Sequence, residues 1–148
     1  YGVHGGLQVS RDGGRHWSRT GPAPDGLIDL AASSTDAARI YAATQQGLLV
    51  SVDGGRVWQA AHLLRRPVSM IEVTTDGSVY AFMLGSGLLR AKEPSPNWQT
   101  LSNDFGDRYL PHFAVDPEDP ARLYASTHQN ELLTSEDGGR TWQRLGAQ

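Results

Sequence analysis

The sequence predicts an all-β fold, a β-propeller of four-stranded antiparallel blades, and two markers in register predict it. Four tryptophans stand 41, 40 and 44 residues apart, and three of them close the same octapeptide, at residues 10–17, 51–58 and 135–142. Four tyrosines, Tyr1, Tyr41, Tyr80 and Tyr124, precede these tryptophans by 16 to 18 residues. A repeat near forty residues is typical of a unit that stacks on copies of itself to bury its apolar faces.

Within each unit, short apolar runs separated by Gly, Asp and Pro predict the strands. The second unit has runs at 27–32, 39–44, 47–52 and 57–60, and the third at 68–74, 78–84, 87–91 and 98–101. The fourth repeats the pattern from residues 110, 122, 131 and 141. The first unit begins inside a second strand and adds runs at 7–10 and 16–20, so it lacks an innermost strand. We expect one domain, 1–148, with blade units at about 1–20, 27–60, 68–101 and 110–145.

The octapeptide is predicted to form the hairpin between the third and fourth strands. Its Asp carboxylate can accept hydrogen bonds from turn amides, its glycines can adopt positive φ, and its indole can fill the wedge between neighbouring sheets. We therefore assign a structural role to twelve octapeptide residues. They are Ser10, Asp12, Gly14, Trp17, Ser51, Asp53, Gly55, Trp58, Ser135, Asp137, Gly139 and Trp142.

The octapeptide resembles the Asp-box, or BNR repeat, Ser-x-Asp-x-Gly-x-Thr-Trp, of sialidases, sortilin-type receptors, xyloglucan-cleaving hydrolases and photosystem assembly factors. The likeness is most complete over residues 113–145 and resembles the sialidase-like and assembly-factor-like propellers of bacteria. The chain departs from the motif at His16 and Val57, where Thr is usual, and before Trp98, where residues 91–97 have lost both glycines. The resemblance implies a larger propeller, or a homodimer that closes an eight-bladed ring, and a periplasmic or secreted location.

Composition narrows the function classes. The net charge is -3 and the pI is near 5.9, so the chain lacks the excess of positive charge that is typical of nucleic-acid-binding domains. This argues against a nucleic-acid partner. No apolar run has the length of a membrane span. The absence of cysteine excludes disulfides, thiolate metal sites and cysteine nucleophiles. No phosphate loop or dinucleotide fingerprint occurs either, so we predict no cofactor.

A ligand site is expected on the face opposite the octapeptide turns, as in the propellers that the chain resembles. The connection after the third unit is the richest in binding groups, and two hairpin tips belong to the same face. The candidate ligand-binding residues are Asn103, Asp104, Asp107, Arg108, Tyr109, His128, Gln129 and His4. Carboxylates, a guanidinium and aromatic rings so close together can bind a sugar or a peptide. The alternative interpretation is that these residues form an ordinary solvent-exposed connection and no binding site.

The residues of these loops could serve three kinds of chemistry. A glycosidase needs two facing carboxyls, and Asp104 or Asp107 could pair with Asp25, Asp29 or Glu131. The sialidases also share an arginine cluster, but Arg15, Arg56 and Arg140 lie in octapeptide turns on the wrong face. Arg65, Arg66 and Arg108 remain as candidates, and sialidase activity is not expected. His4 and His128 occupy equivalent places in two repeats, and together with His62 or His112 they could bind a metal. No close His-x-His spacing imposes this geometry, so no metal site is predicted.

The sequence thus favours a noncatalytic propeller that acts as a binding or assembly scaffold, with no catalytic residue assigned. Its expected partner is a protein or a glycan. The alternative is a fragment of a sialidase-like or other glycoside hydrolase whose catalytic residues lie partly outside this chain.

Overall fold

The structure is a computed structural model that describes residues 2–3, 6–94 and 97–146, the first pair by backbone alone. His4, one of the candidate ligand-binding residues, lies outside the described residues. Every described element is a β-strand. The strands are β1 (Gly2–Val3), β2 (Leu7–Val9), β3 (Ser18–Gly21), β4 (Leu27–Ala32), β5 (Ile40–Thr44), β6 (Gly47–Ser51), β7 (Gln59–Ala60), β8 (Val68–Val73), β9 (Ser78–Met83), β10 (Gly87–Lys92), β11 (Gln99–Ser102), β12 (His112–Val115), β13 (Leu123–Ser126), β14 (Leu132–Ser135) and β15 (Gln143–Arg144).

These strands form four antiparallel sheets, each a meander in chain order. The first sheet is β1-β2-β3, the second β4-β5-β6-β7, the third β8-β9-β10-β11 and the fourth β12-β13-β14-β15. The predicted all-β architecture of four-stranded blades is confirmed, and the first sheet has three described strands. The predicted starts of the outermost strands are wrong by about two residues. Strands β7, β11 and β15 begin just after a tryptophan. For β7 and β15 the reason is that the octapeptide turn holds the backbone up to that residue.

Two apolar clusters hold successive sheets together. Between the second and third sheets, Tyr41 and Leu48 pack against Val68, Ile71 and other residues of the third sheet. The cluster between the third and fourth sheets has these buried members: Met70, Tyr80, Phe82, Leu88, Phe105, Leu110, Leu123, Ala125 and Leu133. Each interior sheet therefore buries both of its faces, as a stacked repeat must.

The first sheet meets the second through an approach that only glycine permits. A Cβ on Gly21 would collide with the carbonyl oxygen of Gly55, and a Cβ on Gly55 would collide with the side chain of Leu7. Gly55 also has φ +87°, a conformation that other residues rarely adopt. The glycine pair of the octapeptide thus serves both the turn and the contact between sheets.

The degenerate copy of the octapeptide, around Glu93, makes a different contact between sheets. The Glu93 carboxylate accepts hydrogen bonds from Ser33 Oγ at 2.8 Å, Thr35 Oγ1 at 3.1 Å and the Tyr41 hydroxyl at 3.2 Å. All three donors belong to the second sheet or to the loop after its first strand. Burial, followed by the nearby Glu93 charge, raises the pKa of Tyr41 to about 12. At the degenerate copy, hydrogen bonds to Glu93 therefore join the second and third sheets in place of a close contact at glycine.

Candidate ligand-binding site on the loop face

The antiparallel meander gives the molecule two distinct loop surfaces. On one, the octapeptide turns of the second and fourth sheets contact the loop between the first and second strands of the same sheet, with Gly54 N–H donating to Ala38 O and Gly138 N–H to Ala121 O. On the other, the connections between sheets contact the hairpins between second and third strands, and His128 N–H donates to Tyr109 O at 3.1 Å. We call this second surface the loop face. It comprises the connections 22–26, 61–67 and 103–111 and the hairpin tips 45–46, 84–86 and 127–131.

The three intact octapeptide turns have a common pattern of hydrogen bonds. In the last copy, Ser135 Oγ donates to Asp137 Oδ1 and accepts from Gly139 N–H, while Asp137 Oδ1 also accepts from the amides of Arg140 and Thr141. Both glycines of every intact copy have positive φ. Hydrogen bonds to the carboxylate lower the pKa of Asp137, chiefly from Thr141, that of Asp53, chiefly from Val57 N–H, and that of Asp12, chiefly from His16 N–H.

The tryptophans are less enclosed than the wedge interpretation requires. Trp17 is 49% exposed, and Trp58, Trp98 and Trp142 are half-buried. The indole N–H of Trp17 donates to Gly14 O at 3.0 Å and that of Trp142 to Gly139 O at 3.1 Å. Trp17 and Trp142 therefore close their own turns, whereas the indole N–H of Trp58 donates to Pro22 O, in the connection before its sheet, at 3.4 Å.

The connection at residues 103–111 is anchored at both ends by buried apolar side chains. Phe105 is 2% exposed and Leu110 is fully buried. The ring of Phe105 lies 5.1 Å from that of Phe82 in an edge-on arrangement and 5.9 Å from that of Trp142. The polar residues between these anchors are thus presented on a fixed backbone rather than on a free loop.

Tyr109 and His128 form an exposed aromatic pair on this fixed backbone. Their rings are stacked with centroids 4.3 Å apart and an interplanar angle of 3°. The amide of Tyr109 donates to Nδ1 of His128 at 3.2 Å, and the amide of His128 donates to the carbonyl of Tyr109. Nδ1 accepts this bond only while it carries no proton, so the pairing selects an imidazole with its proton on Nε2. Tyr109 is 38% exposed and His128 is exposed, so a ligand can reach the stack from solvent.

A charged group lies beside the aromatic pair. The Arg108 guanidinium is 3.5 Å from Glu131 Oε2, and its Nε donates to Phe105 O at 3.0 Å. Arg144 lies 3.9 Å from the other oxygen of Glu131. These groups line a cleft of about 220 Å³ that also contains Asp104 and the ring of Trp142. Two guanidiniums held around one carboxylate suit the recognition of hydroxyl, carboxylate or amide oxygens.

The other described candidate residues are Asn103, Asp104, Asp107 and Gln129, and all four are exposed. Of these, Asp104 alone lines the cleft. Of the histidines that were weighed as metal ligands, those described lie apart, on β12 and on two separate loops. In the parts of the chain that the structure describes, no group of three or more His, Cys, Asp or Glu side chains could hold a metal ion.

Sequence reasoning missed three features of the structure. Arg144 joins the cleft from β15, and Phe105 serves as the anchor of the connection. The third feature is a polar cleft of about 240 Å³ on the innermost strands, lined by Asp29, Glu72 and His112. There Asp29 Oδ2 accepts the Ile71 amide at 3.1 Å, and burial, followed by the Asp29 charge, raises the pKa of Glu72.

Comparison with solved structures decides the fold. A GH74 enzyme from Niastella koreensis matches 94% of this chain with a TM-score of 0.73 at 18% identity, and YCF48 from Cyanidioschyzon merolae matches 84% with a TM-score of 0.66 at 21% identity. A GH74 xyloglucanase from Xanthomonas campestris matches 96% with a TM-score of 0.70 at 26% identity. The chain is a β-propeller.

The propeller spans only part of each of these proteins. It covers 26% and 27% of the two GH74 enzymes and 38% of YCF48. No family model matches the sequence, and no curated protein does. Among the described residues, none belongs to a helix long and apolar enough to cross a membrane.

Proposed function

We propose that this propeller is a noncatalytic Asp-box scaffold that binds a protein or glycan through its loop face. The observation that carries the proposal is the exposed Tyr109–His128 stack beside the Arg108–Glu131 pair. An aromatic face can stack on a sugar ring or on an aromatic side chain, and neighbouring charged groups can orient the ligand by hydrogen bonds. Because Phe105 and Leu110 fix the connection, little conformational entropy is lost on binding.

The proposal is tested with arrays of immobilised glycans and peptides probed with the labelled chain. Binding that saturates and is lost in both Tyr109→Ala and Arg108→Ala supports it. Arg11→Ala is the matched control, since Arg11 is an exposed arginine in an octapeptide turn on the opposite surface. Circular dichroism of each variant checks the fold. Binding that survives both substitutions would remove this surface from consideration.

A second candidate is part of a glycoside hydrolase, favoured by the likeness to the Xanthomonas campestris xyloglucanase at 26% identity. Asp104 lines the cleft that contains Glu131, which places two carboxyls on one side of the propeller. Hydrolysis of a glycosidic bond needs such a pair at a separation set by the mechanism. The assay is release of reducing ends from xyloglucan, with loss of release in Asp104→Asn and Glu131→Gln. Absence of release by the unsubstituted chain would favour the scaffold.

A further inference from the structure

A second groove on the loop face lies at the outer edge of the second sheet. It has a volume of about 450 Å³, and its apolar lining comes from Pro24, Leu48, Leu49, Trp58, Ala60 and Leu64. We call it the Trp58 groove. Trp58 is half-buried, so part of its ring is available to a guest. The groove shares no lining residue with the cleft of Arg108 and Glu131.

The rim of the Trp58 groove is an apolar tip on a well-fixed loop. Leu63 is 98% exposed and Leu64 is 45% exposed. The loop is held because Leu64 N–H donates to Nδ1 of His62 at 3.0 Å and the Arg66 guanidinium donates to Gly85 O at 2.9 Å. Leu63 and Leu64 therefore keep apolar surface in contact with water beside the groove, and burial of this surface by a guest would be favourable.

The charge at this rim is positive although the whole chain is acidic. Residues 62–67 include two arginines and no carboxylate, whereas the chain carries a net charge of -3. Arg65 is exposed and lines the groove, and no hydrogen bond or ion pair of its side chain is found among the described residues. Asp25 is the acidic residue of the lining, and it belongs to the connection on the far side, before β4. A guest that places a carboxylate beside Arg65 is therefore favoured over a basic one.

The backbone along the groove favours an extended guest. Strand β7 is the outer edge of its sheet, and its two residues, Gln59 and Ala60, are exposed and line the groove. An unpaired strand edge offers amide and carbonyl groups to a peptide that lies alongside it, while adjacent pockets select its side chains. A concave groove also suits a projecting side chain better than a flat lipid surface.

We propose that the Trp58 groove binds an acidic peptide segment. The segment lies extended along β7, inserts one large apolar side chain between Trp58 and Leu64, and sets a carboxylate against Arg65. This site is separate from the proposed Tyr109–His128 site, so either can fail without the other.

The probe is a fluorescein-labelled peptide with a central phenylalanine flanked by aspartates and glutamates, followed by fluorescence anisotropy. We expect saturable binding that weakens about tenfold or more in Arg65→Glu, where repulsion replaces attraction, and about threefold or more in Leu63→Ala. Binding should also weaken with added salt. The peptide with a central alanine and the peptide with lysines in place of the acidic residues should bind far less.

Matched controls separate this site from general effects. Arg11→Glu reverses an exposed arginine on the opposite surface, and Leu145→Ala truncates a leucine that is 48% exposed elsewhere. Both should keep the affinity, as should Tyr109→Ala. The proposal is overturned by no saturable binding of the acidic peptide, by equal binding of the lysine peptide, or by unchanged affinity in both groove variants. It is also overturned if the groove variants abolish self-association or binding to anionic phosphatidylserine vesicles instead.

Discussion

The hydroxyl of Thr141 donates a 2.6 Å hydrogen bond to Oδ2 of Asp137, and the other two intact octapeptides lack this bond. In the first copy His16 Nδ1 takes its place, 2.5 Å from Asp12 Oδ2. In the second copy the position holds Val57, whose side chain can donate no hydrogen bond and is 66% exposed. The seventh residue of the octapeptide thus decides whether the second carboxylate oxygen has a partner within the turn.

Val57→Thr should therefore raise the melting temperature. The new hydroxyl can donate to Asp53 Oδ2, and little buried apolar surface is lost because the valine is already mostly exposed. We expect an increase of roughly 1–3 °C, with Thr141→Val lowering the melting temperature by a similar amount. Differential scanning calorimetry measures both. A decrease for Val57→Thr would contradict the assignment of the turn network.

The octapeptide aspartates should make the folded chain less stable in acid. Hydrogen bonds lower the pKa of Asp12, Asp53 and Asp137 in the folded chain. Their contribution to stability is therefore complete above the unfolded value, about 3.9, and declines as pH falls through the lower folded values. The urea concentration at the midpoint of unfolding should decrease as the pH is lowered from about 5 to about 2. Asp53→Asn and Asp137→Asn together should flatten this part of the profile, and an unchanged slope would refute the linkage.

Glu72 should have the opposite effect on how stability depends on pH. Burial and the neighbouring Asp29 raise its pKa, so its charged form destabilises the fold at neutral pH and its protonation relieves the cost. Glu72→Gln should stabilise the chain at pH 7 by less than about 1 kcal/mol, since Glu72 is only half-buried and solvent screens the repulsion. The gain should vanish once pH is below the unfolded value of about 4.3. Glu118→Gln, an exposed glutamate, is the control in the same urea titrations.

Two aromatic truncations should differ in their effect on stability. Phe105→Ala removes a ring that is 2% exposed and should cost about 3–5 kcal/mol, whereas Trp58→Ala removes a half-buried ring and should cost about 1–3 kcal/mol. Chemical denaturation gives both values. A larger cost for Trp58→Ala would mean that the indole contributes as a core residue, as the sequence interpretation supposed.

The sequence could predict the fold because each strand and turn is repeated, but most of the site's geometry is not repeated. The tryptophan and tyrosine spacing locates every sheet, yet Phe105 lies in a loop and carries no periodic signal. The Arg144–Glu131 contact joins β15 to the loop before β14, so it depends on how the sheet is paired. In the sheets with an intact octapeptide, the last strand begins later than the pattern predicts, because carboxylate hydrogen bonds extend the turn up to the tryptophan. This is a local effect that strand propensity does not contain.

His128 should protect the Tyr109 amide from solvent. Nδ1 of the His128 ring accepts the hydrogen bond of this amide, so His128→Ala removes the acceptor. Protection of the Tyr109 amide from hydrogen exchange should therefore fall by on the order of tenfold in His128→Ala, after correction for intrinsic rates. The Asp116 amide, which donates to the carbonyl of Arg122, is the internal control and should keep its protection. Equal protection of the Tyr109 amide in both proteins, measured by NMR, would show that the imidazole is not its acceptor.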